Sequence, residues 1–150
     1  MGAPGSARAV PVPTIADLPT LVDAAAGLTV RMAVTGLVDH VPPGVGVSVY
    51  RVVQEGITNA NRHAGPGARI DVRVTCTAND VDVRVEDNGR GASASRSSDG
   101  YGLTGMRERV ASVGGTFGAG PRPGGGWRVD ARFPLQPGVI PVAAGARLVS

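Results

Sequence analysis

Residues 69–89 read RIDVRVTCTANDVDVRVEDNG, two alternating runs parted by a polar break. Ile70, Val72, Val74 and Cys76 form the apolar set of the first run, and Val81, Val83 and Val85 that of the second. Strict alternation is the pattern of a half-buried strand. The Ala78-Asn79-Asp80 break suits a hairpin, so two adjacent antiparallel strands are expected. The opposite parity, Asp71, Arg73 and Thr75 followed by Asp82, Arg84 and Glu86, should line an outer face. Counting on past Val85 puts Asp87 on the apolar side. A carboxylate there is costly unless it is paired. Two readings follow: an Asx-turn that holds Gly89, or a ligand acceptor at the mouth of a pocket.

On the N-terminal side, residues 46–64, GVSVYRVVQEGITNANRHA, carry Val49, Val53, Ile57, Ala60 and Ala64 at three-and-four spacing. That is the buried stripe of a helix, with a Pro-Pro pair before it and Gly65-Pro66 after it. Gly56 in its interior weakens it by about 1 kcal/mol relative to alanine. Further back, IADLPTLVDAAAG suits a short helix ended by Gly27, with Asp17 and Pro19 at the cap and first turn. LTVRMAVTG then alternates Val30, Met32 and Val34 against Arg31, Ala33 and Thr35, a strand signal.

On the C-terminal side, a helix over about 103–113 sets Leu103, Met106, Val110 and Val113 on one side. Two short strands, TFGAG and WRVDARF, follow and are joined by a PRPGGG turn. This order predicts an α+β fold: a two-layer α/β sandwich with a mixed, mostly antiparallel sheet and helices on one face. The domain is expected over 15–135. A flexible segment rich in Gly, Ala and Pro precedes it over 1–14, and a tail without clear period follows over 136–150.

A chain of 150 residues suits one core. The 15 basic residues are all arginine, against 12 acidic ones, for a net charge of +3. They are spread along the chain rather than clustered, so no nucleic-acid surface is expected. Cys76 is the single cysteine, which excludes an internal disulfide and a thiolate metal cluster. No run approaches 18 apolar residues, and no basic-then-apolar leader opens the chain. No membrane contact is expected of this segment, and a cytoplasmic location follows by default.

Within 46–64, Glu55, Asn59, Arg62 and His63 stand four, three and one apart, on a ribbon opposite or beside the apolar stripe. A carboxylate and a carboxamide one turn apart are oxygen ligands suited to Mg²⁺, which takes few protein ligands and keeps its waters. An arginine and a histidine one turn further could meet phosphate oxygens. For any one of the four, plain solvated surface is the alternative. Downstream, DGYGLTGMRERV brings Gly100, Gly102 and Gly105 to the start of a helix, whose first amides point outwards without partners and favour anions. The chain contains no lysine, so this is not a G-x-x-x-x-G-K-[ST] phosphate loop.

YRVVQEGITNANRHA, VEDNGRG and GYGLTGMRERVASVGG, in that order, resemble the N box and the first and second glycine boxes of a bacterial sensor histidine kinase. The closest group is the one paired with helix-turn-helix response regulators. The resemblance covers about residues 17–135, and the same ATP-binding fold occurs in DNA gyrase B, the MutL repair proteins and the 90-kDa heat-shock chaperone. It implies ATP and Mg²⁺ as cofactors. It implies that Asn59 ligates Mg²⁺, with Glu55 supporting the metal or its water, and that Arg62 and His63 lie near the phosphates. Asp87 would accept a hydrogen bond from the adenine amino group. Gly89 and Gly91 would shape the start of a nucleotide lid, ASASRSSDG. Gly100, Gly102, Leu103 and Gly105 would form the lid's far hinge and the phosphate-binding helix start.

The implied activity is that of a protein histidine kinase: transfer of the ATP γ-phosphoryl group to a histidine on a dimerisation domain and, through it, to a response regulator. About 45 residues precede the N-box helix, too few for the helical hairpin that carries such a histidine. His40, in VDHVPPG, and His63 lack that setting, so the chain alone is not expected to label itself with phosphate. Two alternatives stay open: an anti-sigma-factor-type serine kinase, and a non-catalytic ATP-binding regulatory protein.

Overall fold

The computed structural model describes residues 12–25, 27–89 and 100–135. The expected tail over 136–150, most of the expected lid and nearly all of the segment 1–14 therefore lie outside the described residues. The two runs of 69–89 are strands β2 (Arg69–Cys76) and β3 (Asp80–Asp87), paired antiparallel with Val72 opposite Val85 and Cys76 opposite Val81. Every residue of the expected apolar set is buried, and Asp87 is buried with them. Thr77 closes the connection, its Oγ1 accepting from the amides of Asn79 and Asp80 at 3.1 Å each. Burial pushes the Cys76 thiol up from its ordinary pKa, as befits a small core residue.

β1 (Thr29–Gly36) lies parallel to β2, β5 (Trp127–Pro134) antiparallel to β3, and β4 (Thr116–Pro121) outside β5. The sheet order is β1-β2-β3-β5-β4. A parallel pair needs a crossover rather than a tight turn. Here α2 (Pro43–His63) provides it, joining α1 (Leu18–Ala24) and α3 (Gly100–Ala111) on one face of the sheet. The mixed two-layer sandwich is thus the one that the alternation implies.

On the open face, cross-strand neighbours of opposite charge meet: Arg31 and Asp71 at 3.2 Å, Arg128 and Glu86 at 2.6 Å, and Arg132 with Asp80. Arg73 and Arg84, by contrast, stand directly opposite each other, an arrangement that slightly weakens the pair of strands.

The helices begin earlier than their apolar stripes suggest. α2 starts at Pro43, three residues before the expected boundary. Proline fits the first turn of a helix because its missing N–H would find no partner there. Val45 and Val52 join the buried stripe of Val49, Val53, Ile57 and Ala60. α3 likewise starts at Gly100 rather than near 103, with Met106 and Val110 buried. Asp17 is the N-cap residue of α1 but makes no capping bond to it. Its carboxylate instead accepts from the Thr14 amide at 2.8 Å, in the single 3₁₀ turn that precedes the helix. Among the described residues no helix is long and apolar enough to cross a membrane.

Gly56 has a reason that propensity does not reveal. A Cβ added there would lie 2.9 Å from the Cβ of Val85, so the missing side chain lets α2 rest directly on β3. Gly56→Ala should therefore destabilise the protein by about 1–3 kcal/mol through overpacking, although alanine is the better helix former by about 1 kcal/mol. Urea unfolding measures the balance, and a variant of equal or greater stability would show that α2 can lift from the sheet without cost.

Candidate functional site

Ser48, Asn59 and Asp87 are the buried polar side chains among the described residues. Two of the three are residues singled out by the motifs, and they come from α2 and from β3, the strand on which it rests. Asp87 ends β3 on the side that faces the helices and is 4 % exposed. Its Oδ1 accepts from the Gly89 amide at 2.9 Å, the bond of an Asx-turn. The two readings of Asp87 are therefore not exclusive. A carboxylate has about four acceptor positions, so the turn leaves it able to take a further donor.

The end of β3 is held from three directions. Toward β2, Asn88 accepts from the Arg69 amide at 2.7 Å through Oδ1 and donates its own amide to the Arg69 carbonyl at 3.2 Å. Toward α2, Gly89 is so close that a Cβ would lie 2.3 Å from the Cβ of Ala64. Toward the β4–β5 turn, Arg122 donates from Nη1 to the Asp87 carbonyl at 3.0 Å. Gly126, at φ +94°, packs so tightly there that a Cβ would lie 2.0 Å from the same oxygen. Only glycine adopts that conformation at no steric cost.

The two contacts of α2 also fix its direction. Gly56 touches Val85 and Ala64 touches Gly89. Passing from Gly56 to Ala64 along α2 thus parallels passing from Val85 to Gly89, so helix and strand run in the same sense and Asp87 falls beside the stretch of α2 that includes Asn59.

Asn59 itself is 3 % exposed, turned inward rather than lying on a surface ribbon with its three companions. Glu55 and His63 are half-buried and Arg62 is exposed. The carboxamide Nδ2 of Asn59 is buried without a hydrogen-bond partner among the described residues. A half-turn about the last side-chain torsion presents Oδ1 at that position instead. An unmade bond at a buried amide is what a ligand or ion would complete, so Asn59 fits the part that Mg²⁺ coordination would give it. No group of three or more His, Cys, Asp or Glu side chains suited to a metal occurs among the described residues. An ion here would keep most of its shell as water or ligand oxygen.

Gly100, Gly102, Leu103 and Gly105 all fall within the first two turns of α3, where the earliest amides lack intrahelical acceptors. A Cβ at Gly105 would meet nothing within 4 Å, so packing among the described residues does not demand glycine there. Gly91 lies outside the described residues. An apolar hollow of about 450 Å³ lies elsewhere, between residues 14–19, Val34, residues 38–43 and Gly46. It carries none of these polar groups.

Sequence reasoning missed Arg122, Gly126 and the packing role of Gly56. Gly56 had left a signal, a glycine inside an otherwise regular stripe. Gly126 sat unmarked within a turn, and nothing local marks Arg122, which acts across 35 residues of chain.

A model of the histidine kinase-, DNA gyrase B- and HSP90-like ATPases matches residues 44–137. Among curated relatives, the sensor histidine kinase LnrJ of Bacillus subtilis is 33 % identical over 110 residues, covering 73 % of this chain and 27 % of its own length. The sensor protein VraS of Staphylococcus aureus is 33 % identical over 97 residues, covering 64 % and 28 %. The chain thus spans little more than a quarter of the curated relatives it matches. Among solved structures, the blue-light activated histidine kinase of Erythrobacter litoralis superimposes with a TM-score of 0.68 at 24 % identity, covering 83 % of this chain and 43 % of that one. The mycobacterial sensor histidine kinase MprB gives 0.55 at 18 % identity, covering 79 % and 91 %. At these identities the structures speak for the fold alone.

Because its buried amide donor is unmatched, Asn59 should contribute little to the stability of the ligand-free protein. Asn59→Ala is expected to change it by less than about 1 kcal/mol, whereas Ile57→Ala in the same stripe should cost about 2–5 kcal/mol. Denaturant titration of both variants decides this. A loss at Asn59 as large as that at Ile57 would make the amide a structural element.

Proposed function

The chain belongs to the family of histidine kinase-, DNA gyrase B- and HSP90-like ATPases, and from that premise we propose that it is the ATP-binding catalytic domain of a two-component sensor histidine kinase. In this reading it presents Mg-ATP for transfer of the γ-phosphoryl group to a histidine on a dimerisation domain, and through that domain serves a response regulator in the cytoplasm. The observation that carries the reading is Asp87, a carboxylate buried on the helix side at the end of a valine row. The relatives LnrJ and VraS, both sensor proteins, favour this reading over a serine kinase or a purely regulatory nucleotide-binding protein.

When bound, Mg-ATP supplies the transferable phosphoryl group and the charge neutralisation that its departure needs. The chain's own part is positioning. Asp87 accepts from the adenine amino group and sets the orientation of the base. Asn59 offers its carboxamide oxygen to the ion, and Glu55, one turn earlier, holds the ion's water. Arg62 and His63 close α2 on the side of the phosphates. The first amides of α3, around Gly100, Gly102, Leu103 and Gly105, offer further donors to them. Gly89 and Gly91 give the chain its turn away from β3. Held groups of this kind lower a barrier by fixing reactants in line before the reaction, without a covalent role for the domain.

Two substitutions should fail differently. Asp87→Asn keeps an acceptor but adds donors facing the adenine amino group, so it should weaken ATP and ADP alike, by about 1.5–3 kcal/mol, with or without Mg²⁺. Asn59→Ala removes an ion ligand, so its loss should appear only with Mg²⁺ and be larger for ATP. Calorimetric titration of both variants against both nucleotides measures this, and equal, metal-independent losses would refute the division of roles. Mixed with Mg-ATP and a helical-hairpin dimerisation module from a sensor kinase of this group, the chain should place acid-labile phosphate on the module and none on His40 or His63. Label on either of those two would refute the separate acceptor.

A further inference from the structure

We propose that Arg122, in the turn between β4 and β5, is a positioning residue for adenine recognition, acting on Asp87 through its backbone carbonyl; the inference rests on the reading of Asp87 given above. Arg122 donates from Nη1 to the Asp87 carbonyl at 3.0 Å, and its Nε lies 3.8 Å from the Glu86 carboxylate. The guanidinium is thus held between the side chain of one residue and the main chain of the next. Successive side chains of a strand point to opposite faces. Glu86 points to the open face while Asp87 points to the helices, so Arg122 works from the side opposite the nucleotide. Its route to the site is the peptide unit that carries the Asp87 side chain.

That peptide unit is where β5 stops holding β3, while its N–H, the Asn88 amide, still donates to the Arg69 carbonyl of β2 at 3.2 Å. The β3–β5 ladder ends with Asp87 opposite Trp127, and the next residues depart into the Asx-turn. The Arg122 bond adds a fixed point at this last rung. The turn that delivers it is itself closed, the Arg122 amide donating to Gly126 at 3.0 Å and the Gly125 amide to Arg122 at 3.1 Å. Gly126 seats the turn directly on the same carbonyl. Removing the guanidinium takes a donor from that carbonyl and lets the peptide plane pivot about its bond from the Asn88 amide to the Arg69 carbonyl. Even a small rotation there carries the carboxylate away from the base, and a misplacement of about 1 Å is enough to matter for a directional contact.

The test is a double-mutant cycle on the whole chain, with Mg-ATP affinity read by calorimetry and folding checked by thermal melting. Arg122→Ala should weaken Mg-ATP about five- to tenfold, the scale of one lost ordinary hydrogen bond and less than the full loss of the charged contact it positions. In the Asp87→Asn background the same substitution should change affinity less than twofold, because its effect passes through the missing carboxylate. Arg122→Lys, which keeps a cationic donor, should recover most of the loss. If Arg122→Ala melts too low to titrate, Arg122→Met, which keeps the aliphatic stem, repeats the cycle. Equal weakening in both backgrounds would make Arg122 merely structural and overturn the inference. Unchanged affinity in Arg122→Ala, with a clear loss in Asp87→Asn, would overturn it while leaving the nucleotide site in place. No loss in Asp87→Asn would overturn the reading of the site and this inference with it.

Discussion

Where α2 lies on β3, no side chain separates helix from strand at Gly56, and eight residues later Ala64 meets the backbone beyond the strand's end at Gly89. This close approach governs the rest. It sets the direction of α2 and lays the stretch that includes Asn59 alongside Asp87, both of them buried. A larger residue at 56 or 89 would tilt the helix away and open the layer between them. The site is thus a consequence of two missing side chains as much as of the polar groups that occupy it.

Local alternation was enough to give the parity of β2 and β3, including the inward direction of Asp87, because a period of two leaves one choice of face once a valine row is present. The helix stripes were equally legible, and their starting points were not. Pro43, Gly44 and Gly100 are poor helix formers that belong to α2 and α3 through position rather than propensity. The motif spacing led to Asn59 but not to its burial, since a residue beside an apolar stripe turns inward only when a sheet closes over it. Arg122 and Gly126 were out of reach. Their importance comes from meeting Asp87 across the sheet, and no local pattern encodes that meeting.

Stability and the proposed ligand chemistry are drawn from the same, helix-covered face of the sheet. The helix side is packed chiefly with valine, whose branched side chain has few rotamers to lose on burial. The open side carries a grid of arginines and acids whose exposed pairs contribute little each. Arg73 opposite Arg84 is tolerated there because both guanidinium groups reach solvent. Ser48, Asp87 and Asn59 are the polar exceptions among the described buried residues, and Asp87 and Asn59 each occupy volume that a valine or leucine would fill to greater effect. Their retention there makes sense as chemistry rather than as packing.

The strand order β1-β2-β3-β5-β4 has a temporal side. β3 sits in the middle of the sheet, yet one of its two neighbours, β5, is the last of the described strands to leave the ribosome. Until Trp127–Pro134 emerges, β3 presents an unpaired edge, and the turn that braces Asp87 does not yet exist. During synthesis the α2–β2–β3 unit must wait, half covered, for some forty residues before its central strand is closed on both sides. The proposed nucleotide site is therefore late to mature, and a nascent chain halted before β5 exposes a strand edge open to wrong pairing.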